Sequence, residues 1–155
     1  MMIPMSIDFA AQIAGWTYEN EYSIYSFHQD DDTVKELMNG EYYACLDQFD
    51  NLSGYFCFGT SAQIPTIEKG VYTPEMLDMG LGMKPALCGK GYGYSFVKSG
   101  LDFAQSNFHI KQIRLTVAAF NTRAIRIYEK LGFTLSSSVI HSKTQSIFQV
   151  LEYMY

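Results

Sequence analysis

Cysteine is scarce. Cys45, Cys57 and Cys88 are the only three in 155 residues, and none forms a C-x-x-C pair. That excludes a disulfide framework and a cysteine-based zinc site, and it suggests a reducing compartment, the cytoplasm. Basic residues are few as well: 11 Lys and Arg stand against 16 Asp and Glu, a formal charge of −5. A protein that neutralises nucleic-acid phosphates carries the opposite sign, so no nucleic-acid partner is expected. No apolar run approaches the roughly 20 residues that cross a bilayer, and the opening MMIPMSIDFA lacks the basic flank of a signal peptide, so no membrane partner is expected either. His28, His109 and His141 share no spacing that suits a metal site or a triad, and no metal is expected.

What is abundant is apolar and aromatic material, 48% and 15% of residues, which rules out global disorder. With no repeat and no Pro-, Gly- or Ser-rich linker, a single domain over residues 1–155 is the simplest reading. Met2 to Met5 suits a short strand. Ser6 is placed to cap a helix over Ile7–Ala14, stopped by Gly15. The aromatic stretch Trp16, Tyr18, Tyr22, Tyr25, Phe27 leads to the acidic cluster Asp30, Asp31, Asp32 and a short helix over Thr33–Met38, whose N-terminal dipole suits those carboxylates. Strands are expected over Tyr42–Gln48 and Ser53–Gly59, joined by a hairpin turn, and over Glu75–Met83. A helix should run to Asn107, with Val97, Leu101, Ala104 and Phe108 on its core face. A strand over Gln112–Ala118 with Ile113, Leu115 and Val117 on one side, a helix over Thr122–Leu131 ended by Gly132 as a left-handed cap, and strands over Phe133–Ile140 and Ser146–Tyr153 complete the order. The fold class is α/β (α+β), a mixed sheet flanked by helices.

The chemistry concentrates in LDMGLGMKPALCGKGYG, Leu77 to Gly93. On an extended strand Leu77, Met79, Leu81 and Met83 share an apolar face, and the other face carries Asp78, Gly80 and Gly82. Two glycines beside one carboxylate predict an open floor where a backbone or a ligand can lie close. The turn that follows holds Gly89, Gly91 and Gly93 before a helix. Its N–H groups and the helix dipole form an anion site suited to a phosphate or pyrophosphate. Neither a Walker loop nor a GxGxxG fingerprint is completed. About 30 residues on, Asn121 precedes a short helix and Tyr128 lies two turns later, so both can face one side.

Taken jointly, Met83-Lys84-Pro85, Cys88 to Gly93, Asn121 to Ala124, and Tyr128 to Phe133 resemble the GNAT N-acetyltransferase superfamily, over about Leu77 to Phe133. The resemblance implies a mostly antiparallel sheet of six to seven strands with about four helices, splayed at a central parallel strand pair. It implies an N-acetyltransferase that moves an acetyl group from acetyl-CoA to a primary amine of a small molecule or peptide by direct attack. On this resemblance the backbones of Leu81, Gly82 and Met83 would hold pantetheine. Cys88, Gly89, Lys90, Gly91, Tyr92 and Gly93 would cradle the pyrophosphate, Asn121 would bond the cofactor arm, and Tyr128 would protonate the leaving thiolate. Cys88 stands where the family places Arg or Gln, and Thr116 where some relatives place a Glu base. Asp78 is the first candidate base, Glu75 the second, and a water-mediated route stands beside them. The acceptor would meet the Trp16–Phe27 stretch, with Glu19, Glu21 and Asp30 nearby, and the residues around His141; a homodimer is left open. The alternatives are a non-catalytic, GNAT-like acyl-CoA-binding or regulatory domain and an unrelated phosphate-binding α/β domain.

Overall fold

The computed structural model describes residues 1–155. Seven strands, β1 (Met2–Pro4), β2 (Tyr42–Leu46), β3 (Leu52–Phe58), β4 (Leu77–Met83), β5 (Gln112–Ala118), β6 (Thr134–Ile140) and β7 (Ile147–Met154), form a mixed sheet in the order β1-β2-β3-β4-β5-β7-β6. Four α-helices, α1 (Ile7–Ala14), α2 (Asp31–Leu37), α3 (Gly93–Phe108) and α4 (Thr122–Leu131), accompany it. The chain groups into two compact units, Met1–Cys57 with Leu81–Tyr92, and Phe58–Gly80 with Gly93–Tyr155. β3 and β4 each run through both.

In the first unit β2 pairs antiparallel with β1 and with β3, so that Met2 faces Cys45 and Tyr43 faces Phe56. The hairpin between β2 and β3 closes on Asp47, whose carboxylate accepts the N–H groups of Phe49 at 2.8 Å and Asn51 at 3.0 Å. Ser6 caps α1 by accepting the N–H of Phe9, and Ala10, Ile13 and Ala14 put one face of that helix in the core. The acidic cluster is a helix start: Asp30 accepts the N–H of Thr33 at 2.8 Å and α2 begins at Asp31, two residues before the expected Thr33. Gly15 ends α1 as expected, with a right-handed φ of −87°. Within the aromatic stretch, Asn20–Tyr25 is a 3-10 helix.

In the second unit β5 is the centre. It pairs parallel with the start of β4, Leu77 opposite Ile113 and Asp78 opposite Arg114, and antiparallel with β7, which also carries β6. Ile113, Leu115 and Val117 are buried as the alternation required, and α3 buries Val97, Leu101 and Ala104. Burial of each such aliphatic side chain contributes about 1.5–3 kcal/mol. α4 starts on Asn121, whose side chain accepts the N–H of Ala124, and ends on Gly132 at φ +113°, a left-handed cap that an L side chain resists.

Strand β4 begins at Leu77 rather than Glu75, because residues 74 and 75 form a turn ahead of it. The face expected to be open is covered. Asp78 is 4% exposed, and a Cβ on Gly82 would run into the ring of Tyr55. Both corrections have one cause: a residue that creates a gap or a charge on a strand attracts a side chain from elsewhere in the chain to fill or neutralise it.

Candidate active site

β4 and the turn after it carry most of the expected cofactor residues. The N–H of Lys84 donates to the carbonyl of Ser53 at 2.9 Å, which holds the end of β4 to β3. Tyr55 lies over Gly82, and Trp16, Phe27 and Tyr42 pack around Tyr55 with ring centroids 6.3, 5.8 and 5.9 Å away. Part of the aromatic stretch thus packs, half-buried, on the core residue Tyr55. Tyr18 instead makes a polar contact, its hydroxyl donating to the carbonyl of Met83 at 2.6 Å. The Cys88 thiol approaches the same carbonyl at 3.7 Å and that of Lys84 at 3.6 Å. Burial holds the Tyr18 hydroxyl well above the usual phenol pKa, and the nearby Cys88 adds to the effect, so Tyr18 stays a donor at any working pH.

Beyond Met83 the chain makes a 3-10 turn over Pro85–Leu87 and enters the glycine segment. Gly89 and Gly91 adopt φ of +73° and +87°. These left-handed steps are open to glycine and strained for residues with a Cβ. Gly89, Lys90, Gly91 and Tyr92 are exposed, and a Cβ at Gly91 would meet nothing within 4 Å. The turn is thus open at Gly91, with no side chain crowding it. Helix α3, 16 residues long, begins at the last glycine of the series. Gly93 is small for a different reason: a Cβ there would press on the Cδ1 of Ile127 in α4.

The second unit holds the other expected residues. Asp78 is not an open carboxylate. Its Oδ1 accepts the Nε–H of Arg114 at 2.6 Å, and its Oδ2 accepts an Nη2–H of Arg114 at 3.0 Å and an Nε2–H of Gln63 at 2.9 Å. Arg114 further donates to the carbonyls of Val71 and Thr73 and to the Thr73 hydroxyl, so all five of its N–H groups have acceptors. Its guanidinium lies over the ring of Tyr72, 5.2 Å from the centroid. The Tyr72 hydroxyl is 2.9 Å from that of Thr116, at the strand position where a Glu base was looked for, and it accepts the N–H of Ile64. Glu75 is exposed.

Asn121 uses its Oδ1 for the α4 cap. Tyr128, 5% exposed, packs on Phe133 with ring centroids 5.8 Å apart. His141 is a turn residue whose Nδ1 accepts the N–H groups of Lys143 and Thr144, while His28 and His109 are exposed. No group of three or more His, Cys, Asp or Glu side chains could hold a metal ion. Sequence reading did not single out Arg114, Gln63 or Tyr72. The signal was an arginine in a strand otherwise rich in apolar residues, which requires a buried acceptor, and Asp78 lies on the strand that pairs with it.

A family model described as an acetyltransferase (GNAT) domain matches residues 4–134. The chain belongs to this family. This GNAT acetyltransferase is 44% identical over 54 residues to a mycothiol acetyltransferase of Streptosporangium roseum, a match that takes in 35% of this chain and 16% of that protein. It thus spans a small part of that relative's length. Among solved structures, a GNAT-family acetyltransferase of Bacillus anthracis superposes with a TM-score of 0.75 at 16% identity, covering 99% of this chain and 93% of the other. A spermidine N-acetyltransferase of Vibrio cholerae, solved as a mutant, gives 0.71 at 15% identity, covering 99% and 94%. At such identities the likeness is one of fold. GNAT acetyltransferases use acetyl-CoA, and the open turn at Gly89–Gly91 fits its diphosphate.

Proposed function

We propose that this acetyltransferase transfers the acetyl group of acetyl-CoA to a primary amine of a small molecule or peptide. The observation that carries the reading is the uncrowded left-handed glycine turn at Gly89 and Gly91 ahead of the long helix α3. The amides of residues 88–93 hold the pyrophosphate, and Lys90 adds charge. Cys88 contributes its backbone here, since its thiol is turned to the carbonyls of Met83 and Lys84. Pantetheine runs along β4 beyond the parallel pairs at Leu77 and Asp78, where a splay would admit it as an added strand. Leu81 and Met83 supply the pairing groups there, and Gly82 serves as the floor for Tyr55. Asn121, whose Oδ1 caps α4, bonds the cofactor arm from the start of that helix.

In the reaction a neutral amine attacks the thioester carbonyl, a backbone N–H steadies the oxyanion, and the C–S bond breaks. Tyr128 gives its proton to the departing thiolate. The amine proton leaves by water, since Asp78 is buried and bound to Arg114 and Gln63. An acceptor amine is cationic at neutral pH, and the net charge of −5 favours its approach. The three free thiols suit a reducing compartment such as the cytoplasm.

The test is calorimetry with acetyl-CoA, CoA and ATP, followed by thiol release over a panel of amines. Binding of both CoA species with amine-dependent thiol release is expected. No binding of either CoA species overturns the site, and binding without release from any amine overturns turnover.

A further inference from the structure

A strand presents its peptide groups alternately to its two edges. The N–H of Lys84 points to β3, so the groups of Gly82 do too, and those of Leu81 and Met83 point to the opposite edge. On that edge the Met83 carbonyl is already taken. Tyr18, 65 residues earlier, donates to it at 2.6 Å, and the Cys88 thiol stands on it as well. Tyr18 is itself anchored, its N–H donating to the Ser26 hydroxyl at 2.9 Å. A half-buried phenol fixed at its backbone and aimed at one carbonyl of a strand edge is a built contact, and burial keeps its proton in place.

We propose that Tyr18 is a positioning residue for the acyl donor: by occupying the Met83 carbonyl it denies that acceptor to the pantetheine amides and fixes the register in which the arm pairs with β4. This rests on the acetyl-CoA reading above. With the Met83 carbonyl taken, the arm is left with the Leu81 carbonyl and the Met83 N–H. When the hydroxyl is removed, a second register opens two residues along, which displaces the thioester by about 7 Å. Binding then persists while productive alignment is diluted.

Tyr18→Phe keeps the ring and removes only the O–H. The expected result is a fall in kcat on the order of tenfold, about the worth of one hydrogen bond, with KM for acetyl-CoA unchanged or lower. A second readout needs no turnover. Met83-Lys84 is the only Met-Lys step in the chain, so carbonyl-labelled methionine with amide-labelled lysine gives one correlation that reports the Met83 carbonyl by NMR. In the native protein it stays put as acetyl-CoA is added. In Tyr18→Phe it starts upfield and moves downfield with acetyl-CoA, as the arm takes the vacated acceptor. An unshifted resonance in Tyr18→Phe, movement on adding acetyl-CoA to the native protein, or an unchanged kcat overturns the positioning role. Calorimetry of the native protein separates the two readings. Absent acetyl-CoA binding overturns both, whereas intact binding with any of those three results overturns the Tyr18 role alone.

Discussion

Arg114 and Asp78 meet side by side at the parallel junction of β4 and β5, Nε to Oδ1 at 2.6 Å and Nη2 to Oδ2 at 3.0 Å, with side chains 2% and 5% exposed. Removing one partner of such a pair strands a buried charge, at a cost of about 3–5 kcal/mol. Asp78→Asn should therefore lower the free energy of unfolding by an amount near that range, read from urea denaturation. The molecules that remain folded should keep near-native specific activity. A large loss of turnover in fully folded Asp78→Asn would place the carboxylate in the chemistry instead.

Gly82 is constrained by packing. Gly82→Ala forces its methyl into the Tyr55 ring and should destabilise the fold by about 1–3 kcal/mol, as overpacking does. Tyr55→Ala removes the obstacle. The double variant should then cost less than the sum of the two single ones, a coupling measured by a double-mutant cycle.

Tyr128→Phe keeps the ring that packs on Phe133 and removes the hydroxyl. Turnover should fall by about two orders of magnitude, the usual share of general acid catalysis, with CoA affinity kept. Steady-state kinetics beside calorimetry checks both halves. Unchanged kcat would remove the acid role.

Gly91→Arg should abolish CoA binding. Any L residue at φ +87° carries a backbone penalty of about 1–2 kcal/mol. Gly91→Ala carries the same penalty without the bulk and should keep measurable binding. Loss in both variants alike would assign the effect to the backbone rather than to a blocked cradle.

Asp47 and Asp30 accept backbone N–H groups, Asp47 from Asn51 and Phe49 and Asp30 from Thr33, and these bonds hold both carboxyls below the usual range. A folded-state pKa below the unfolded one means stability that is present above the unfolded value, about 4, and lost as pH falls through the folded one. Acid titration of native stability should show this decline. Asp47→Ala should flatten it, by loss of the hairpin contacts that depend on the charge. An unchanged acid slope in that variant would deny the linkage.

Local chemistry was legible in the residues themselves. Ser6 and Gly132 act within one helical turn, and their caps stand where the sequence suggested. So does the alternation Ile113, Leu115, Val117 on β5. The glycine turn was readable for the same reason: left-handed φ at Gly89 and Gly91 is a demand on the residue, not on its surroundings. The floor of β4 was misjudged because its covering groups come from elsewhere in the chain, Arg114 lying 36 residues from Asp78.

The amino-acid order by itself determined the helices, the strands, the glycine turn before α3 and the family resemblance, since each rests on short-range periodicity, capping, backbone freedom or local motifs. Only the tertiary structure decided which groups on β4 remain to do chemistry. Burial costs a charge or a carbonyl so much without a partner that Asp78 and Met83 are each claimed by a distant residue, and chain folding alone chooses which one.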